Sequence, residues 1–247
     1  MNDSAASPAP PITAPPGSGN RAPEPLASRR HTVRFLLIVG AIAVAGLLRS
    51  RASAGGGSPV PPPGYRALLY LSLIALQLAF VWFVAVGIRR TGRRIVDLLG
   101  RRWRSPLDGL RDAGLAVLFL VALYGCLLGL RALLGPSPAN TAFLLPKGAL
   151  ESFLWVAVAI AAGVCEELVF RGYLQTQLWA LSGRLPLAIV LQALVFGLAH
   201  LYQGWRPALL TVAYGLAFGA LAAWRRSILP GAIAHALIDV IGGLWPR

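Results

Sequence analysis

Residues 67–88 read ALLYLSLIALQLAFVWFVAVGI, 22 positions without a single charged side chain. At about 1.5 Å of rise per residue, a helix of that length covers about 30 Å, the thickness of a bilayer's hydrocarbon core. With no water there to satisfy the backbone, such a run must close its own hydrogen bonds as a helix. Working outward, comparable apolar runs fall at about 32–48, 113–130, 149–170, 185–201, 208–224 and 228–244. The composition agrees: 56% of the 247 residues are hydrophobic and 13% charged, about half the charged share usual in a soluble domain. We therefore expect an all-α polytopic transmembrane helix bundle of about seven spans. The fourth helix should run on to about Leu181, because nothing breaks it before Ser182-Gly183.

The net charge of +14 could suggest nucleic acid, but its distribution argues against that partner. The arginines gather at the ends of apolar runs, where positive charge sets topology, and no basic module stands apart from the spans. The expected partner is the lipid bilayer. Eight arginines lie in 89–111, interleaved with Ile95, Val96, Leu98, Leu99, Trp103 and Leu107. This segment is either an interfacial helix on anionic lipid or a solvated loop, and in both cases cytoplasmic. Alternation of spans then puts the N-terminus inside and the C-terminus outside, with 15 Lys/Arg inside and 7 outside. One lysine against 22 arginines, with abundant Ala, Gly and Pro, hints at a GC-rich bacterial genome and hence a bacterial plasma membrane. Residues 1–30, rich in Pro, Ala and Ser, should form a disordered tail, and 55–63 a loop that is flexible and then stiff. Cys126 and Cys165 lie in apolar runs without metal-type spacing and read as small buried hydrophobes. Three units result: the tail (1–30), the N-terminal spans with their basic loop (31–144), and a C-terminal unit (145–247).

The polar residues point to that last unit. Six of the nine acids lie in the tail, loops or span edges; Glu166, Glu167 and Asp239 do not. With His200 and His235 they make five ionisable groups in 74 positions, and none of this kind occurs inside the first three spans. An ionisable side chain at bilayer depth costs several kcal/mol unless it faces a partner or a wet cavity. Glu167 and Arg171 are four apart and can pair on one helix face; Glu166 points about 100° away. His235 and Asp239 are also four apart, so the carboxylate could orient the imidazole. Phe196 should pack beside His200 by the same spacing. Counting from a turn at Gly183, Glu166 and His200 are each 17 residues away, hence level at about 25 Å. His235 lies only seven residues into the last span, about 10 Å deep, which simple alternation does not level with the other two.

EELVFRGYLQTQL (166–178), FGLAH (196–200) and HALID (235–239) resemble the EExxxR, FxxxH and HxxxN/D motifs of the CAAX protease and bacteriocin-processing (CPBP, or Abi) family, which includes the type II CAAX prenyl endopeptidase. The resemblance covers about 145–245. It implies an intramembrane endopeptidase in which Glu166 and His200 activate water, His235 and Asp239 stabilise the oxyanion, and Glu167 and Arg171 support the site. Asp239 stands where asparagine is common, so it must be protonated to donate, or else only orient His235. No cofactor is the preferred reading; zinc held by Glu166, His200, His235 and water is the alternative. Two other functions compete. One is a non-catalytic immunity or scaffold protein of the same fold. The other is a proton-coupled transporter using Glu166 and Asp239, disfavoured because no internal repeat is visible. The substrate, a protein or peptide, is not legible, and a prenyl group on it is not assumed.

Overall fold

The computed structural model describes residues 22–54, 64–135 and 142–245, and no strand occurs among them. The helices are α1 (Arg29–Ala54), α2 (Tyr65–Arg89), α3 (Pro106–Leu134), α4 (Ala149–Glu166), α5 (Thr176–Ser182), α6 (Leu185–Ala199), α7 (Trp205–Arg225) and α8 (Leu229–Leu244). A π-helical stretch, Glu167–Gln175, joins α4 to α5 without interruption. The continuous rod Ala149–Ser182 thus counts as one helix, and the seven apolar helices lie where the sequence predicts them. Five are long and apolar enough to cross a membrane, whereas α6 and α8 are shorter apolar helices. At 15 and 16 residues, these two rise about 23 Å, less than a bilayer's core. Large apolar side chains such as Leu68, Leu78, Trp82, Leu118 and Val121 lie exposed on α2 and α3, as lipid-facing surfaces require.

Local chemistry sets the ends. Ser105 caps α3 by accepting from the Asp108 N–H, with Pro106 in the first turn, where its missing N–H is no loss. The rod ends at Gly183, whose φ of 70° is left-handed. Between the helices, small residues permit close approach. Gly163 lets α8 lie against α4, and Gly197 and Gly215 bring α6 and α7 together. Buried Gln192 and Gln175 tie the bundle further by donating to the backbone carbonyls of Gly215 and Gly219 on α7.

The arginine-rich segment forms no α-helix of its own. Its centre is a single 3-10 turn, Ile95–Leu99, docked on the bundle through Leu98, which is 2% exposed. Residues from Pro106 onward already belong to α3. Arg101 N–H donates to the Arg226 carbonyl and Ile228 N–H to that of Leu99. The same turn lies against Gly172. The expected tail is also shorter than 30 residues. Leu26 and Ala27 are buried, because the Gln177 side chain of α5 satisfies both their N–H groups and the Ala27 carbonyl. Residues 1–21 of the tail and the 55–63 loop lie outside the described residues.

Candidate active site

The mismatch in depth has a structural answer. The rod Ala149–Ser182 is about 50 Å long and runs past the level of the α7–α8 turn. That turn, through residues 98–101, is level with Gly172 and not with Gly183. Glu166 lies six residues above Gly172, about 9 Å, and His235 seven residues above Ile228, about 10 Å. The two side chains therefore meet.

A cavity of about 570 Å³ opens between the helices, within the range of about 300–1,000 Å³ usual for ligand sites. Glu166, Phe196, His200, His235 and Asp239 all line it. Further wall comes from the end of α3 and the α6–α7 turn, so the cavity extends away from the arginine-rich loop. Glu167 and Arg171 sit behind the wall, their side chains fully buried. Every residue of the π-helical stretch is buried, and π turns recur at functional sites.

The hydrogen bonds define each group. Arg171 Nη1 donates to Glu167 Oε1 at 2.8 Å, and the guanidinium lies 4.4 Å from the Phe196 ring centre. His235 Nδ1 lies 3.1 Å from the same Glu167 oxygen, and a carboxylate only accepts, so Nδ1 carries a proton. His235 Nε2 then faces two further carboxylates, Glu166 Oε2 at 3.7 Å and Asp239 Oδ2 at 3.8 Å. Both distances exceed a direct hydrogen bond. Glu167, not Asp239, therefore orients His235. Helical spacing pairs His235 with Asp239 on their own helix, but α8 packs so closely on the rod that the fully buried Glu167 gets nearer. Asp239 is held by its backbone, whose carbonyl accepts from Trp155 Nε1 at 2.8 Å; its side chain is one-third exposed to the cavity.

His200 caps the end of α6. Its Nδ1 lies 2.8 Å from the Phe196 carbonyl, which can only accept, so the neutral ring leaves Nε2 with a free lone pair. The Phe196 ring packs edge-on at 4.7 Å, as the spacing predicts. In the turn beyond α6, burial pushes the Tyr202 phenol up to about 12, so it stays a neutral hydroxyl on the cavity wall.

The residues 148–241 match the family model described as Type II CAAX prenyl endopeptidase Rce1-like. This C-terminal region is Rce1-like. The match contains all three motifs and agrees with the resemblance seen in the sequence; α1 to α3 lie outside it. No curated protein and no solved structure matches the chain. An integral membrane protein with a region like that of a membrane protease follows. Among the described residues, no three His, Cys, Asp or Glu side chains form a group that could hold a metal ion.

The sequence reading missed one wall residue. Gln77 of α2 donates through Nε2 to Glu166 Oε1 at 2.5 Å. Its signal was available: it is the one Asn or Gln in the first three apolar runs.

Proposed function

We propose that this protein is an intramembrane endopeptidase that hydrolyses a peptide bond with water activated by Glu166. One observation carries the reading: Glu166, His200 and His235 come from three different helices onto one cavity. Glu166 Oε2 is buried and has no hydrogen-bond partner among the described residues, as expected of a base awaiting its water.

The steps follow from the groups. A water held between Glu166 Oε2 and His200 Nε2 loses a proton to Glu166 as its oxygen attacks the substrate carbonyl carbon. The carbonyl oxygen takes the negative charge. With Nδ1 committed to Glu167, His235 can donate from Nε2 only as the imidazolium, whose charge the three surrounding carboxylates balance. Such a donor, aimed where charge develops, is worth about 3 kcal/mol or more in the transition state. Collapse breaks the C–N bond, and the proton on Glu166 passes to the leaving amine. Arg171 and Glu167 hold His235 in place. The apolar walls suit a peptide that arrives through the membrane, and the family name points to prenylated C-terminal peptides as the first probes. We further infer a bacterial plasma membrane with the arginine-rich loop in the cytoplasm, which puts the cavity toward the opposite face.

The test uses the full chain in lipid nanodiscs. Two internally quenched peptides are offered, one ending in a farnesylated CAAX sequence and one unprenylated, and products are weighed by mass spectrometry. Cleavage at one bond, unaffected by metal chelators, is expected. Failure of the folded protein to cut either peptide favours the scaffold reading. Loss of cleavage with chelator and recovery with zinc would overturn the metal-free mechanism.

A further inference from the structure

Gln77 stands at the centre of α2, twelve residues from either end, about 18 Å from each by helical rise. A primary amide there is surrounded by Leu, Ala and Phe in sequence and is costly at mid-bilayer unless it is satisfied. Its partner is Glu166, whose Oε1 accepts from Gln77 Nε2. The bond spans 89 positions and comes from a helix outside the matched region 148–241. It joins α2 to a second anchor on the same rod. Tyr70, seven residues before Gln77 and so on the same face, donates to the Leu144 carbonyl at 2.6 Å and packs edge-on against Trp155 of the rod. Trp155 in turn donates to the Asp239 backbone. Helix α2 thus touches the site at two depths, and Gln77 is its contact with the carboxylate itself.

The consequence for Glu166 is geometric. Its two oxygens are distinct: Oε1 is occupied by Gln77, and Oε2 is left without a partner and turned toward His235 Nε2. Without Gln77 the carboxylate loses the hydrogen bond that fixes which oxygen faces the reacting water. The same bond holds the plane of the carboxylate, so that Oε2 keeps its place on the cavity wall.

We propose that Gln77 is a positioning residue for Glu166, so that the active site is completed by α2 and is not confined to the Rce1-like region. This rests on the reading of Glu166 as the base. Because Gln77 acts through Glu166, its loss should appear in kcat and hardly in KM.

The test compares Gln77→Leu and Gln77→Met with wild type, with Ser72→Ala as a control on the same helix and Glu166→Gln as the reference for the base. The Met variant keeps the length and packing of the side chain but lacks the donor. Two readouts are used on full-length protein in nanodiscs. The first is steady-state cleavage of the quenched peptide. The second needs no substrate: labelling of Glu166 by dicyclohexylcarbodiimide, an apolar reagent that adds faster to a carboxyl group with neither oxygen held by a hydrogen bond, followed by peptide mass spectrometry. We expect both Gln77 variants to lose at least tenfold in kcat, with KM within threefold of wild type, and to label at Glu166 at least threefold faster. Ser72→Ala should match wild type in both. Wild-type kcat and labelling in Gln77→Met overturn the proposal and leave the role of Glu166 standing, provided Glu166→Gln is inactive. Full activity in Glu166→Gln removes the base itself and the proposal with it. Should neither peptide be cut, the labelling alone decides, and an unchanged rate overturns the proposal.

Discussion

Gly163→Ala adds one carbon at the contact between α4 and α8 and should disable the site from a distance. The new Cβ would lie 2.7 Å from the Ala236 nitrogen and 2.8 Å from the Ala232 oxygen. Both are backbone atoms, so no side chain can swing aside. Ordinary contact begins at 3.4 Å, so α8 must retreat by about 0.7 Å. His235 rides on α8 and Glu167 on the rod. The same retreat would stretch their 3.1 Å hydrogen bond to about 3.8 Å, beyond bonding range. A misplacement of this size costs up to about 100-fold in rate, and overpacking about 1–3 kcal/mol in stability. We expect kcat for the quenched peptide to fall about 10- to 100-fold with a lower melting temperature in nanodiscs. Gly125→Ala is the control, since nothing lies within 4 Å of the carbon it adds. A Gly163→Ala protein with wild-type rate and melting would refute the claim that this close approach sets the site's geometry.

Three further outcomes follow from the same geometry. Glu167→Leu should destabilise by about 3–5 kcal/mol, because it strands a buried guanidinium; adding Arg171→Met should recover much of that loss, and strictly additive losses in denaturant unfolding would contradict a buried pair. His200→Ala and His235→Ala should each remove most activity, and the double variant should be little worse than either single, since groups that act as one unit are non-additive; independent multiplication of the two kinetic losses would place them in separate sites. Asp239→Asn should keep the fold, because Trp155 holds the backbone and not the side chain, and should retain at least about a tenth of the activity, since Glu167 and not Asp239 orients His235, the oxyanion donor; an inactive but well-folded variant at every pH would show that the carboxylate charge itself is required.

Most of the site was legible in the sequence because ionisable side chains are rare at bilayer depth and stand out there. Glu166, His200, His235 and Asp239 could be singled out on that ground, and all four line one cavity. The pairing of Glu167 with Arg171 was legible from helical spacing and stands at 2.8 Å. What spacing cannot show is which helix comes nearest. Asp239 shares a face with His235, yet Glu167 reaches its Nδ1 from the neighbouring rod. The depth of His235 was misread because hairpin counting assumes that all turns on one side lie level. The rod instead passes the α7–α8 turn by about ten residues, from Gly172 to Ser182. Gln77 escaped notice because it is uncharged, although an amide in the middle of a lipid-facing helix needs a partner for the same physical reason as a charge. The docked stretch Leu26–Ala27 escaped because its composition is that of a tail. The buried Gln177, 150 positions away, and the Thr91 hydroxyl, which donates to the Leu26 carbonyl, make it part of the bundle.

The central claim is that Glu166 is the base of a hydrolytic site assembled from α4, α6 and α8. The most direct measurement is the single-turnover rate of peptide cleavage by Glu166→Gln against wild type, at equal amounts of folded protein in nanodiscs. Glutamine keeps the size of the side chain but has no carboxylate to take the water's proton. A rate at least about a hundredfold lower is expected, in line with about 10²–10⁴ for loss of a general base, with peptide binding unchanged. A Glu166→Gln protein that cleaves within threefold of the wild-type rate would contradict it.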